Sequence, residues 1–576
     1  MFFFYLKFFN LYTLLLFSIF SLLLSNALAF RRDIAIFYSR IGLVVLFYSI
    51  CLSYNSLFIT YLDNGIGLFG GLLFISSITQ SFHILIFLIS LLILNMTSFY
   101  PRKLILSKYI SVFKLLFTRL VFLKKFILSN IILKKGEQYI ILEYTLILLF
   151  VIMGSILLIS SSDLITIFLA IELQSYGLYL LCAMYRNSES STSSSLTYFL
   201  LGALASCFIL IGIALIYANS GVTYLDNFYI IKNLFNIISS QELKDLTIYL
   251  PFCISLISVG LLFKISAAPF HFWSPDVYDG IPTIVTSFVA NIAKLSILIL
   301  ILQLVYLTNN IYTSYPWISS LILSSLLSLI IGTILGLTQS RIKRLFAYST
   351  ISHLGYMLLA LSVNNIESIQ SFIFYLVQYS ISSINAFIIL MAIGYSLYFY
   401  SDNNINQDKL IDKSNSLIQL ISQFKGYFYI NSILAISFII TLFSFAGIPP
   451  LIGFFAKQMV FSAALQDGFI FLTLVGILTS VISAVYYLLI VITMVFDVYS
   501  YRYFSNFLNL EIPVLLIQKN KTLNKFYFNL KFALSTYFSL IISILTLIIL
   551  LFMLVPNELL YLSKILSIVL FVPNSI

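Results

Sequence analysis

Apolar runs of about 20 residues recur from one end of this chain to the other, separated by short polar segments. About 20 consecutive apolar residues is the length of α-helix that crosses the hydrocarbon core of a bilayer. The first run covers residues 8–30 and further spans are expected near 41–61, 72–97, 139–160, 162–185, 196–218, 249–271, 283–306, 316–339, 343–363, 369–399, 431–456, 470–496 and 534–555. The pattern predicts an all-α polytopic membrane protein of about fourteen transmembrane helices, with a last apolar stretch at 557–573 lying on the surface rather than spanning.

Residues 1–30, with Lys7 and an Ala27-Leu28-Ala29 ending, imitate a secretory signal. Their apolar core exceeds the usual signal length, so they read as the first membrane helix. The domains expected are a three-helix segment at 1–97, a basic segment at 98–138, two helical units at 139–306 and 316–496, and a loop with a C-terminal helix at 497–576. Segment 98–138 mixes Lys and Arg with apolar residues at roughly helical spacing, and both an amphipathic helix on the membrane and an ordinary loop fit it. Ser188 to Ser195 reads as a polar linker.

Composition agrees with a membrane chain: 61% of the 576 residues are hydrophobic and 9% charged, and the mean hydropathy is +1.07. Soluble domains carry about 25% charged residues. The formal charge of +11 reports topology rather than nucleic-acid binding. Basic loops follow odd-numbered spans: Arg31, Arg32 and Arg40; the many Lys and Arg of 98–138; Arg341, Lys343 and Arg344; Lys519, Lys521, Lys525 and Lys531. By the positive-inside rule these loops face the cytoplasm or mitochondrial matrix, and the N-terminus lies on the opposite side. Cys51, Cys182, Cys207 and Cys253 lie far apart inside apolar stretches, so no cysteine cluster for zinc or iron–sulfur is expected. The abundance of Phe, Ile, Leu, Tyr, Ser and Asn suits AT-rich coding, as in many organelle genomes.

A charge at the bilayer centre costs roughly 2.5–3.5 kcal/mol, so charges inside apolar spans need a reason. Four qualify: Glu172, Lys264, Lys294 and Lys457. Static ion pairs or snorkelling offer one reading, proton transfer the other. One acid and three lysines cannot all pair; Glu172 is best placed for Lys264, which leaves two ammonium groups without a counter-charge. His353, midway along its span, suits a relay or a packing role. His271 and Trp273 are expected to anchor the membrane interface, and His83 to be structural.

Prolines stand beside two of these lysines. Pro269 follows Lys264 by five residues and Pro449-Pro450 precede Lys457 by seven, so both helices should break near mid-membrane. Broken helices in matching places of two halves mark inverted-repeat transporters. Lys264 and Lys457 are 193 positions apart and Glu172 and His353 are 181 apart, which fits a five-helix repeat over spans 4–8 and 9–13. The Gly65 to Gly70 segment copies a dinucleotide fingerprint but follows no soluble strand, and reads as a turn.

Residues Phe263 to Pro282, then Lys294, Arg344 to Tyr356 and Ala446 to Lys457 resemble the antiporter-like subunits of respiratory complex I, the proton-pumping NADH:ubiquinone oxidoreductase, over roughly residues 140–500. The resemblance implies fourteen helices, two inverted five-helix repeats, and breaks in spans 7 and 12. It implies that Glu172 and Lys264 are a glutamate–lysine pair, Lys294 a central lysine, His353 a relay and Lys457 the lysine of the far channel. It implies no cofactor on this chain, with FMN, iron–sulfur clusters and ubiquinone in other subunits. The implied partners are further membrane-arm subunits, other antiporter-like ones among them, and lipids but not nucleic acid. The setting implied is the mitochondrial inner membrane, or else a bacterial plasma membrane. A departure is Thr197-Tyr198-Phe199, where members often read Lys-Tyr-Phe. Two alternatives stay open: a subunit of a multi-subunit sodium/proton antiporter, and a structural scaffold.

Overall fold

The structure is a computed structural model and describes residues 2–28, 35–58, 65–97, 102–103, 143–185, 188–225, 227, 241–309, 316–400, 418–497, 532–533 and 536–571. Most of segments 98–138 and 497–533 lies outside the described residues.

With no water in hydrocarbon to satisfy the backbone, apolar runs fold as helices. Helices α1 (Phe2–Leu28), α2 (Ala35–Ser56) and α3 (Ser77–Thr97) form the N-terminal group. Next come α4 (Glu143–Ser160), α5 (Leu164–Ala183), α6 (Glu189–Ser220), α7 (Gln241–Ile265), α8 (Trp273–Gly280), α9 (Thr283–Phe288) and α10 (Lys294–Asn309). A π turn at Val289–Ala293 joins α9 to α10. The second group is α11 (Pro316–Leu337), α12 (Ile342–Val363), α13 (Ile366–Tyr400), α14 (Ser432–Ala446), α15 (Ile452–Gln466) and α16 (Ile470–Val495), followed by α17 (Thr536–Leu551) and α18 (Asn557–Phe571). Among the described residues, nine helices are long and apolar enough to cross a membrane unaided. The fourteen-span count also requires α1, α2, α17 and the two broken helices. Helix α18 turns 86° away from α17, the posture of a helix lying along the surface.

The Gly65 to Gly70 segment is a hairpin: Ile66–Leu68 pairs antiparallel with Leu73–Ile75. Positive φ at Gly65, Gly70 and Gly71 makes the turn, and no nucleotide-binding strand–helix unit is present there.

Several interhelical crossings are tight, two of them at matching helix pairs. A Cβ on Gly154 of α4 would stand 2.9 Å from the Gln174 nitrogen of α5, and one on Gly332 of α11 would stand 2.7 Å from the Ser352 nitrogen of α12. Small residues let membrane helices approach this closely, because packing rather than a hydrophobic drive holds them.

Two expectations need correction. Ser188 to Ser195 is not a linker: from Glu189 onward it forms the first turns of α6, with Ser191 and Ser194 buried. Ser191 donates to Tyr185 O just before the helix and Ser194 to Ser191 O, and the small size of Ser194 lets Gly280 of α8 pack against it. His271 and Trp273 are both 3% exposed and so do not sit at an interface. The break in the helix folds them inward: Trp273 Nε1 donates to Phe263 O at 3.0 Å and its ring stacks on Tyr198 at 4.7 Å. His83 is buried with its Nε2 3.2 Å from Ile156 O, a packing role.

Candidate functional site: a buried line of ionisable side chains

The two broken helices set the frame. Ile265 ends α7 because Ser266 takes a left-handed φ of 63°, and Ala446 ends α14 because Gly447 takes a φ of 82°. At the first break Ala267 N donates to Leu262 O, and at the second Ile448 N donates to Phe443 O, the six-to-one bond of a Schellman ending. Phe270 N then donates to Ala267 O, and Leu451 N to Ile448 O. Every one of these positions matches its counterpart at an offset of 181, as do Pro269 and Pro450. Glu172 and His353 share that offset. Lys264 and Lys457 do not: Lys264 stands before its break and Lys457 after its own.

Lys264 Nζ lies 3.5 Å from Glu172 Oε1 and 3.4 Å from Tyr179 OH, so the predicted pair forms. At 3.5 Å it is an ion contact rather than a tight hydrogen bond. Ser175 Oγ donates to Glu172 Oε2 at 3.4 Å. Lys294, first residue after the π turn, donates to Ser266 Oγ at 2.9 Å and to Thr350 Oγ1 at 3.1 Å. Ser266 is two residues past Lys264, so Lys294 bonds to the same break that follows Lys264. Lys457 donates to Ala446 O at 2.9 Å, a carbonyl freed by the break. Gly447 makes room for that reach: a Cβ there would come within 3.0 Å of Lys457 Cδ.

His353 lies between the lysines of α10 and α15. It sits one turn past Thr350 on α12, with Nδ1 2.7 Å from Tyr375 OH and Nε2 3.5 Å from Tyr487 OH. Tyr356, one turn further, faces Lys457, whose Nζ is 5.3 Å from its ring centroid. Thr350, His353 and Tyr356 thus form one stripe of α12 at i, i+3, i+6 spacing. Lys264, Lys294, His353 and Lys457 are all buried.

The structure therefore brings Glu172, Lys264, Lys294, His353 and Lys457 into one line through the interior, with Pro269, Pro449 and Pro450 in the breaks that bracket it. The charge scan missed the groups that bridge the line: Tyr179, Ser266, Thr350, Tyr356 and Tyr375. The three-residue spacing on α12 was the signal available for Thr350 and Tyr356. Among the described residues no three His, Cys, Asp or Glu side chains converge as a metal site would need.

At the end of α8, Asp279 accepts from Arg341 at 2.5 Å and Arg344 at 3.1 Å, and Asp276 accepts from Arg344 at 3.1 Å. Buried Lys343 donates to Ile281 O at 2.6 Å. The basic cluster counted for topology thus also ties α8 to the start of α12.

A bundle with two broken helices around a buried line of ionisable groups is the build of an antiporter-like membrane subunit. Residues 161–483 match the family described as NADH:quinone oxidoreductase/Mrp antiporter, TM, more than half of the chain, and the chain belongs to that family. It is 45% identical over 489 residues to NADH-ubiquinone oxidoreductase chain 2 of Rhizopus oryzae, covering 84% of this chain and 86% of that one. It is 39% identical over 359 residues to NADH-quinone oxidoreductase subunit N of Pelagibacter ubique (strain HTCC1062), covering 62% and 69%. Among solved structures, a chain of respiratory complex I from Thermus thermophilus with bound aureothin superposes with a TM-score of 0.67 at 24% identity, over 96% of this chain and 98% of that one. A chain of the Mrp complex from Dietzia sp. DQ12-45-1b gives 0.70 at 16% identity, over 98% and 97%. At such identities the likeness shows the fold alone.

Proposed function

We propose that this chain is a proton-translocating membrane-arm subunit of an NADH:ubiquinone oxidoreductase, seated in the mitochondrial inner membrane. The observation that carries the reading is the buried line from Glu172 to Lys457, joined by hydroxyls at 2.9 and 3.1 Å on Lys294 and at 2.7 Å on His353. Membrane interiors hold ionisable groups chiefly where protons or ions move. The relatives' names supply the oxidoreductase; FMN, iron–sulfur clusters and ubiquinone belong to its other subunits, and neighbouring membrane-arm subunits and lipids surround this chain.

Fourteen spans, with inverted repeats over spans 4–8 and 9–13, are part of this reading. The shared hydrogen-bond pattern of the two breaks at one offset supports the repeats, and basic loops after odd spans put the N-terminus on the intermembrane-space side. With Glu172 in contact, Lys264 holds its proton. When Glu172 is neutralised or moves away, the proton passes by Ser266 to Lys294. From there Thr350, His353 and Tyr375 with water lead toward Lys457, which empties to the far side. Energy arrives from quinone reduction elsewhere through neighbouring charges.

The test is proton pumping by the assembled complex in sealed vesicles, driven by NADH. Lys264→Ala and Lys457→Ala are expected to leave the complex assembled and lower pumping by tenfold or more. Pumping at the wild-type rate in both variants refutes the route. Copurification with flavin and iron–sulfur proteins separates this function from that of a sodium/proton antiporter subunit, and electrogenic pumping lost in Lys457→Ala separates it from a scaffold.

A further inference from the structure

Lys264, Lys294 and Lys457 each lie over the face of a tyrosine. The distance from Nζ to ring centroid is 5.8 Å for Lys264 and Tyr179, 5.3 Å for Lys294 and Tyr278, and 5.3 Å for Lys457 and Tyr356. The three tyrosines come from different elements, α5, α8 and α12, so no helical periodicity generates the pattern. Lys264 also has a carboxylate. Among the described residues no carboxylate lies within ion-pair distance of Lys294 or Lys457.

A cation within about 6 Å of a ring centroid is attracted by the negative face of the ring, most strongly where water is excluded. Resting on the proton route proposed above, we infer that Tyr278 and Tyr356 act directly on the migrating charge: their faces hold the ammonium state of Lys294 and Lys457 in place of an acid. A face does this without a proton of its own, so it stabilises the charge without trapping it as a contact carboxylate would.

Both rings are fixed independently of the amines. Tyr278 sits on the short helix α8 between Asp276 and Asp279, the residues tied to Arg341 and Arg344. Tyr356 donates its hydroxyl to Gly476 O at 3.2 Å and meets Phe461 edge-on at 5.9 Å. Tyr179 is less informative, because its hydroxyl touches Lys264 as well.

The inference separates ring from hydroxyl. In the assembled complex, Tyr278→Phe and Tyr356→Phe keep the face and are expected to pump within about twofold of wild type. Tyr278→Met and Tyr356→Met fill much of the space without a face and are expected to lose about tenfold, with assembly checked on native gels. Met variants that pump like wild type overturn the inference, as do Phe variants that assemble and pump no better than Met ones. If the Met variants do not assemble, the Phe variants decide: wild-type pumping supports the ring and its loss overturns it. Lys294→Ala is the control. Normal pumping there sinks the route itself, whereas lost pumping there beside an unaffected Tyr278→Met sinks the ring alone.

Discussion

In the first broken helix Lys264 stands on the turn before the break and meets Glu172 at 3.5 Å; in the second, Lys457 stands past the break and reaches the Ala446 carbonyl at 2.9 Å. The two breaks share their six-to-one bond and the turn that follows it, yet one lysine has a counter-charge and the other a neutral dipole. At the offset of 181 the position matching Lys264 is Phe445, and His353, matching Glu172, packs against that ring at 5.3 Å. The pair thus survives as a contact between the same positions while its chemistry changes from ionic to aromatic. A contact carboxylate can hold or release a charge as it moves; a carbonyl and a ring only soften the cost of its passage. On the proposed route the Glu172–Lys264 pair would gate the proton, and the lysines without an acid, Lys294 and Lys457, would conduct it.

The sharpest way to break this contrast is to give an acid to a lysine that has none. Ser266→Asp places a carboxylate where the hydroxyl now touches Lys294 at 2.9 Å, and aspartate tolerates the left-handed φ of 63° there. The new ion pair is expected to pin the charge on Lys294 and cut pumping by about a hundredfold, in line with buried charge pairs at contact distance. Ser266→Asn, of the same shape without the charge, is expected to retain most activity. Equal loss in both, measured as protons moved per NADH, removes the electrostatic distinction between lysines with and without an acid.

The Glu172–Lys264 pair is tested by neutralising it. Glu172→Gln leaves Lys264 without a counter-charge; breaking a buried pair typically costs about 3–5 kcal/mol, discounted here because the Glu172 side chain keeps 14% exposure. Pumping is expected to fall by about tenfold and thermal stability of the complex to drop. Adding Lys264→Met removes the remaining charge and is expected to restore stability but not pumping. Restoration of both by the double variant makes the pair structural, and the comparison between halves then loses its functional content.

How far the chain itself announced this arrangement depends on what each group costs. Membrane helices were legible because hydrocarbon thickness is a ruler, and the breaks because Pro269 and Pro450 cannot continue a helix ladder. Glu172 and the three lysines stood out because a charge in an apolar run is expensive. Tyrosine faces and hydroxyls carry no such mark: the chain has 39 tyrosines, and an aromatic ring in an apolar run reads as packing. His271 and Trp273 were misread because the interface rule assumes an unbroken helix, whereas the break turns them inward. Ser188 to Ser195 was misread because polarity suggests a linker, while serines bonded to their own helix pack α8 closely.

The smallest effect expected concerns what the halves share. Gly154 and Gly332 hold equivalent crossings, with backbone atoms of the facing helix 2.9 and 2.7 Å from where a Cβ would sit. Neither contact involves the buried line, and neither can yield by rotating a side chain, since the nearest atoms are main chain. Gly154→Ala and Gly332→Ala should each push a helix pair apart and cost about 1–3 kcal/mol, the usual penalty for overpacking. Thermal melting of the purified complex should show similar losses for both, with pumping per assembled complex close to wild type. A large pumping defect in Gly332→Ala alone would mean that the α11–α12 crossing carries Thr350 and His353 out of line, and that the second half depends on its packing in a way the first does not.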